Sequence, residues 1–360
     1  MKAYVVENEA LNYNIETLLE RANGVPIWAV LKGNGYGIGA VPLARRLREH
    51  GIDRFCVTEL CEAQLLRENG FDSAAILMLR QTSCEEELKQ LLDLRVILTV
   101  GSSQSAAAAN KVAAARAQKA QVHLKIDTGM GRFGFLPTQV ADLLAVYKLE
   151  NLAICGVYTH FNCAFFNEKL TQEEFALFMQ TVEAIRAAGM DAGTVHCCNS
   201  AAFLRHQGMH CDGVRIGSAI LGRMPFTTTL KPIGYAEACI DEIRELPKGH
   251  STGYAALWKA KTPTRVAIVP IGWHNGFRVQ YQLGTPRFRD ALRMIYGGVC
   301  GVFRRSTAQI DVGGHRCPLI GQAGMLHIAV NVTGIDCKPG DIARIAINPL
   351  HLKGMEIAYR

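Results

Sequence analysis

Eight short apolar runs, separated by amphipathic segments, occupy the sequence from Pro26 to about Leu221. Strands buried on both faces by helices have this continuous apolar character, and the runs start about 20–40 residues apart, a spacing typical of β-α units. Eight such units predict an α/β fold with a closed (β/α)8 TIM-type barrel rather than an open doubly wound sheet. The runs are 26–31, 55–57, 75–79, 96–100, 122–126, 153–159, 194–197 and 213–216.

The pattern changes after Leu221. Further apolar runs at 265–271, 308–312, 326–332 and 343–347 are separated by turns rich in Gly, Pro and Asp, mostly without helix-length segments between them. We therefore predict two domains, a barrel formed by residues 1–224 and a mostly β domain formed by residues 225–360.

Composition narrows the class of protein. A hydrophobic share of 49% with 20% charged residues argues against disorder. The apolar runs are far shorter than the ~20 residues that span a bilayer, and the first residues lack an export signal. The 12 cysteines include no Cys-x-x-Cys pair, which favours buried free thiols over disulfides or zinc. These features predict a cytoplasmic protein that is not membrane-bound.

The excess of positive charge is modest. The chain has 39 Lys and Arg against 32 Asp and Glu, so its formal net charge is +7, and the basic residues form no block. Nucleic acid is therefore not an expected partner. A small anionic ligand is a simpler explanation for the excess of positive charge.

Catalytic residues of such barrels follow the strands, so the residues after each apolar run carry the most information. Lys32 follows the first run and precedes a glycine-rich segment, residues 33–37. Burial at a strand end lowers the pKa of an amine and suits it to Schiff-base chemistry. A solvated loop is the alternative interpretation of the same pattern.

Two further strand ends carry polar side chains. The segment from Lys125 to Gly134 has a glycine-rich loop that presents Arg132, whose planar fork suits a carboxylate or a phenolate oxygen, although a surface arginine fits equally well. His160 follows the sixth run. A histidine here suits an acid, a base, a metal ligand or a stacking partner, although histidines at such positions are more often hydrogen-bonded parts of the core. Because no Asp or Glu lies nearby at ligand spacing, we predict no metal site.

The seventh and eighth runs lead into Asn199-Ser200 and into Arg215, Gly217 and Ser218. The loops after these two strands are the usual phosphate-binding position in such barrels. A lysine at the first strand combined with this position suggests pyridoxal 5'-phosphate as cofactor. Arg215 is placed to face the pyridine nitrogen, where a permanent positive charge would favour simple proton exchange.

The ordered motifs resemble the alanine racemase family, pyridoxal-phosphate enzymes with an N-terminal barrel and a C-terminal β domain. The similarity covers most of the chain and follows the family order. Its motifs are at 29–37, 125–135, 158–161, 199–201, 215–217, 253–254 and 269–272.

The resemblance implies a two-base racemase. Lys32 would hold the cofactor covalently and act as one base, and Tyr254 of the other subunit would act as the opposite base, so the enzyme should be an obligate homodimer. Lys125 matches a position that is carbamylated in some relatives. Other implied contacts are to the cofactor phosphate (Tyr36, Ser200, Gly217, Ser218), to the rest of the cofactor (Asn199, His160, Arg215) and to the substrate (Arg132, Met325).

Three departures from the family pattern concern the substrate corridor and the phosphate site. A family Gly-Tyr-Ala-Asp-Gly-Tyr stretch is replaced by Gly272-Trp273-His274-Asn275-Gly276-Phe277, and a Met-Asp-Gln stretch by Met325-Leu326-His327. The segment 354–357 lacks the tyrosine that normally completes the phosphate site. These changes leave the two bases intact and leave open alanine, serine or another amino acid as the substrate.

Two other functions compete with a racemase. Single-domain relatives of the barrel bind pyridoxal phosphate without clear turnover, but they lack the β domain that carries Tyr254. Related decarboxylases of basic amino acids use an acidic partner at the ring nitrogen and a glycine-triplet phosphate loop, whereas this sequence has Arg215 and no such triplet.

Overall fold

The computed structural model describes residues 1–224, 226–279, 296 and 308–360, and these residues form two compact units. One unit is Asn8–Ile233, and the other combines Met1–Glu7 with Gly234–Arg360. The predicted domains are 1–224 and 225–360, so the boundary lies after Ile233 rather than after residue 224, and the assignment also differs for the first residues. They form β1 (Lys2–Val6), which pairs antiparallel with residues 234–238 and parallel with 356–359. Backbone pairing on both edges therefore places β1 in the second unit.

The unit Asn8–Ile233 contains one strand in each of the eight predicted runs. The strands are β2 (Ile27–Val30), β3 (Arg54–Val57), β4 (Ala75–Met78), β5 (Leu98–Val100), β6 (Ala120–Lys125), β7 (Leu152–Tyr158), β8 (Thr194–His196) and β9 (Val214–Ile216). They form two parallel four-stranded ladders, β4-β3-β2-β9 and β5-β6-β7-β8. Bridges between Leu77 and Ile97 and between His196 and Gly213 join the ladder edges. The predicted closed barrel is confirmed.

Helices alternate with these strands. They are α1 (Asn8–Ala22), the single left-handed turn α2 (Lys32–Tyr36), α3 (Ala40–Glu49), α4 (Leu60–Glu68), α5 (Glu85–Asp93), α6 (Ser103–Ala115), α7 (Val140–Val146), α8 (Glu168–Ala187) and α9 (Ser200–Arg205). In α3, residues 40, 43, 44 and 47 are buried, the spacing of one helix face. Among the described residues, no helix has both the length and the apolar character that crossing a bilayer requires.

Aromatic rings fill part of the barrel interior. The ring of His196 lies between those of Trp28 and Tyr158, which are nearly parallel to it at centroid distances of 6.0 and 5.0 Å. His123 packs edge-on against Trp28 and His196. All four side chains are almost fully buried. These packed rings occupy the barrel interior, so functional side chains are expected at the strand ends.

The second unit is rich in strands, as predicted. Besides β1 it contains β10 (Gly234–Cys239), β11 (Glu242–Leu246), β12 (Ser251–Thr252), β13 (Trp258–Lys259), β14 (Thr264–Val269), β15 (Gln309–Val312), β16 (His315–Ile320), β17 (Ile328–Asn331), β18 (Ile342–Ile345) and β19 (Glu356–Tyr359). Its largest sheet has the order β11-β14-β17-β16-β15-β18-β10-β1-β19. Gly313 and Gly314 join β15 to β16 with φ of 59° and 82°, a two-residue hairpin loop that favours glycine.

Candidate active site

Lys32 lies two residues after the end of the barrel strand β2 and begins a left-handed turn. The next four residues, Gly33, Asn34, Gly35 and Tyr36, all have φ between 52° and 64°. Left-handed backbone costs a non-glycine residue roughly 1–2 kcal/mol, so two glycines reduce the cost of this turn. Asn34 adds local support because its side-chain oxygen accepts a hydrogen bond from the Ala40 amide at 2.9 Å.

Lys32 lies on a cavity of about 160 Å³ at the ends of the barrel strands. Among the described residues that line it, five are Lys or Arg and none is Asp or Glu. The lining residues are Lys32, Thr58, Leu79, Arg80, Lys125, Arg132, Phe133, Tyr158, His160 and Arg215. Several predicted site residues from distant parts of the sequence therefore meet here. A cavity with this charge favours an anionic ligand.

Burial and clustered positive charge shift the ionisation of the lining groups. Desolvation, followed by the charge of Arg132, lowers the pKa of Lys32 below its ordinary value. The same two causes lower the pKa of Lys125 to about 8. His160 is desolvated beside Arg215, which lowers its pKa well below the usual range. Neutral amines are the nucleophilic forms, so both lysines are favourably placed for covalent chemistry.

Arg215 is held by a chain of buried groups. Its Nη1 donates to His196 Nδ1 at 2.9 Å and to the His196 carbonyl at 3.1 Å, and its Nη2 donates to the carbonyls of Thr159 and Cys197. His196 Nε2 lies 2.9 Å from Nδ1 of His123. The guanidinium can only donate, so His196 accepts at Nδ1 and donates from Nε2 to His123. The chain fixes the orientation of the guanidinium at the barrel mouth.

The ends of β8 and β9 form a cluster with the turn after Lys32. Ser200 Oγ accepts hydrogen bonds from the amides of Gly217 at 3.1 Å and Ala219 at 3.3 Å. A Cβ atom on Gly217 would lie 2.3 Å from the Tyr36 hydroxyl oxygen. Tyr36, Ser200 and Gly217 therefore come together, as a phosphate site requires. The Ser218 hydroxyl instead contacts Met224 Sδ at 3.5 Å.

Asn199 supports this cluster from the start of α9. Its Oδ1 accepts hydrogen bonds from the amides of Ala201 and Ala202, both at 3.1 Å, and its Nδ2 donates to the Phe161 carbonyl at 3.2 Å. The first contacts cap the helix. The last one ties the end of β8 to the loop that follows His160.

The loop that presents Arg132 is organised by Asp127. One carboxylate oxygen accepts from the amides of Gly129 and Gly131 at 3.0 and 3.1 Å, and the other accepts from the Arg132 amide at 3.2 Å. Sequence reasoning missed Asp127, although an acid ahead of three glycines is a typical signal for such a turn. It also missed Arg80 in the cavity and His123 in the chain behind Arg215.

Tyr254 and Met325 belong to the second unit. Tyr254 follows Gly253, whose φ is 78°, and is 70% exposed, and Met325 is 47% exposed. The Met325 carbonyl accepts a hydrogen bond from the His274 amide at 3.0 Å, so the two divergent segments 272–277 and 325–327 adjoin one another. Most of the Tyr254 surface is exposed to solvent.

Asn275, at which the family pattern described above has an aspartate, is completely buried. Its Oδ1 accepts from the Gly272 amide at 3.1 Å, and its Nδ2 donates to the Lys353 carbonyl at 2.9 Å. At this position the amide stabilises the turn, because both of its polar atoms bond to backbone groups.

The fold and the cationic cavity around Lys32 are those of a barrel enzyme that binds an anionic ligand. Comparison with known proteins is more specific. The family models for the alanine racemase N-terminal and C-terminal domains match residues 6–225 and 233–352. The chain belongs to the alanine racemase family, whose members are pyridoxal-phosphate-dependent isomerases.

Individual relatives agree with this assignment. The chain is 33% identical to an alanine racemase of Desulforamulus reducens over 85% of its length and 84% of the relative. It is 30% identical to an alanine racemase of Methylacidiphilum infernorum over 94% of its length and 81% of the relative. A solved alanine racemase from Clostridium difficile 630 superposes with a TM-score of 0.82 at 26% identity, covering 96% of this chain and 86% of that one.

Proposed function

We propose that this chain interconverts L- and D-alanine with bound pyridoxal phosphate. The observation that carries the proposal is the position of Lys32, a lysine of lowered pKa at a strand end, in a cavity whose described lining has five cationic side chains and no carboxylate. The relatives named above, each called an alanine racemase, support the choice of substrate.

The residues at the barrel mouth fit the cofactor. A cationic cavity suits its phosphate and phenolate oxygens, and the hydroxyls of Tyr36 and Ser200 beside Gly217 suit the phosphate. Lys32 would hold the cofactor covalently. Further contacts would come from Ser218 at the phosphate, from Asn199 and His160 along the cofactor, and from Arg215 at the ring nitrogen.

When bound, the cofactor delocalises the negative charge left at Cα after proton loss. The protein then has to move one proton off Cα and another one on. Lys32 would act at one face and Tyr254 of the partner subunit at the other, in a homodimer with shared active sites. Arg132 would hold the substrate carboxylate, and Met325 would contact the substrate. Two bases on opposite faces invert Cα without the substrate turning over.

A chiral product assay tests the substrate. The enzyme is incubated with each enantiomer of the common amino acids, and the products are separated by chirality. We expect alanine to be racemised fastest, with serine next. If another amino acid were racemised faster, it would replace alanine as the proposed substrate. The departures from the family pattern at Trp273, His274 and Leu326 would permit such a change. Release of carbon dioxide from lysine, ornithine or diaminopimelate would instead indicate a decarboxylase.

Two variants test the bases. Borohydride should attach the cofactor permanently to Lys32 of the wild type, and Lys32→Ala should abolish this attachment. Tyr254→Phe should abolish exchange of the Cα proton with deuterium for one enantiomer while the cofactor stays bound. A wild-type protein that carries the cofactor but exchanges no Cα proton would point to a binding protein without turnover.

A further inference from the structure

Glu62 is a carboxylate with an unusually rich set of contacts outside the cavity lining. It lies in the first turn of α4, which follows the barrel strand β3, and its residue exposure is 8%. A buried carboxylate is costly unless hydrogen bonds satisfy its oxygens. The contacts of Glu62 therefore indicate what holds it there.

Each oxygen of Glu62 binds a different loop. Oε1 accepts hydrogen bonds from the amides of Gly33 at 2.6 Å and Asn34 at 3.4 Å. Oε2 accepts from the amides of Thr58 at 2.9 Å and Glu59 at 3.2 Å, and from the Thr58 hydroxyl at 3.4 Å. One side chain thus connects the loop after β2 to the loop after β3.

The loop after β2 needs such support. Residues 33–36 are all left-handed, a conformation that chains rarely hold over several residues, and Gly33 and Asn34 are exposed to solvent. Glu62 supplies the acceptor for the first two amides of this turn. The contact is charge-assisted, which makes it stronger than a bond between neutral groups.

We propose that Glu62 is a positioning residue that fixes the left-handed turn after Lys32 and so orients the lysine toward the cavity. The inference rests on the function proposed for Lys32. Glu62 also provides a negative charge near that amine, where Arg132 and Arg215 provide positive charge and the Cys56 thiol lies close by. Its removal should therefore make the Lys32 nitrogen easier to deprotonate as well as less well placed.

Glu62→Gln in the full-length enzyme tests this role, with Glu59→Gln as the matched control. Glutamine has the same shape, but its NH2 group would have to face one of the two sets of N–H donors. Glu59 is a neighbouring carboxylate whose side chain is 58% exposed and lies 3.5 Å from Arg80. We expect Glu62→Gln to weaken cofactor retention about tenfold or more, the size expected for loss of a charged hydrogen bond, and Glu59→Gln to change it little.

The absorption band of the lysine-bound cofactor provides a readout that a purely structural role would not move. When this band is titrated with pH, we expect the midpoint of the titration to fall in Glu62→Gln and to stay unchanged in Glu59→Gln. Unchanged retention and an unchanged midpoint in Glu62→Gln would overturn the role of Glu62. If borohydride fixed no cofactor at Lys32 of the wild type, the proposed function would fail instead, and the two failures are thus distinguishable.

Amide hydrogen exchange keeps the inference testable if Glu62→Gln does not fold. The amides of Gly35 and Gly37 are bonded to backbone carbonyls, so only the Gly33 and Asn34 amides report on Glu62. In the wild-type enzyme, these two amides, resolved individually by NMR, should exchange tenfold or more slowly than those of an open loop. Exchange of both amides at the rate of an open loop would contradict the inference.

Discussion

Arg215 Nη1 and His196 Nδ1 lie 2.9 Å apart, and both residues are buried. A guanidinium has no acceptor, so the imidazole must accept, and a charged His196 beside it would be repelled. Desolvation, followed by the charge of Arg215, lowers the pKa of His196 well below its usual range. The arginine is thus the cation of the pair, and the neutral imidazole orients it.

Replacing Arg215 by lysine should destabilise the protein although the charge is kept. The guanidinium donates to three backbone carbonyls and one imidazole, and an ammonium cannot reproduce this fork. We expect the free energy of unfolding to fall by about 2–4 kcal/mol, measured by urea denaturation. Arg45→Lys, at an exposed position of α3, should stay within roughly 0.5 kcal/mol of the wild type. Equal stability of both variants would contradict this account of Arg215.

The buried histidines should make stability fall with acidification. Desolvation lowers the pKa of His123 from 6.5 to about 3. Between these values the unfolded chain binds a proton that the folded chain does not, so stability is lost as the pH falls below 6.5. The loss approaches about 1.4 kcal/mol per pH unit for each such histidine. His123→Gln should reduce the slope of unfolding free energy between about pH 6 and 5 by this amount. Identical slopes would show that His123 is already charged in the fold.

Lys125 should react with carbon dioxide. Lys125 is 3% exposed, and its Nζ lies 5.5 Å from the ring centroids of Phe133 and Tyr158. Burial, followed by the charge of Arg132, lowers the pKa of Lys125 to about 8. The neutral amine is the reactive form, so carbamate should increase as the pH rises through 8. Enzyme in ¹³C-bicarbonate should give a carbamate carbon resonance that Lys125→Gln lacks. A signal of equal size in both proteins would assign it to another amine.

Gly217→Ala should impair cofactor binding selectively. The added Cβ would lie 2.3 Å from the Tyr36 hydroxyl oxygen, so this side chain or the β9 loop must move. We expect cofactor retention to weaken at least about tenfold, equivalent to roughly 1.4 kcal/mol. Gly208→Ala is a suitable control, because no atom lies within 4 Å of its added Cβ and its φ is not positive. Matching cofactor affinities in the two variants would argue against a phosphate site at Gly217.

The barrel and many of its site residues could be predicted from the sequence because the signals for them are local in the chain. Buried parallel strands are apolar runs, and functional residues follow them, which singled out Lys32, Lys125, His160 and Arg215. The cavity gathers all four.

Residues that act through contacts with other side chains or loops could not be predicted in this way. Glu62 lies on a helix where an acid usually faces solvent, and its partners are set by the left-handed turn of another loop. His123 occupies an inward position of β6, where a histidine merely interrupts an apolar run. The place of β1 was missed because a five-residue strand does not reveal its partners, which lie more than 220 residues away.

The position of β1 has a consequence for synthesis of the chain. Lys2 pairs with Ala238 and Ala3 with Glu356, so β1 cannot complete its pairing until both β10 and β19 have been translated. The sheet of the β unit therefore depends on pairing between strands that are far apart in the sequence, and a bulky tag fused close to Lys2 should slow this pairing.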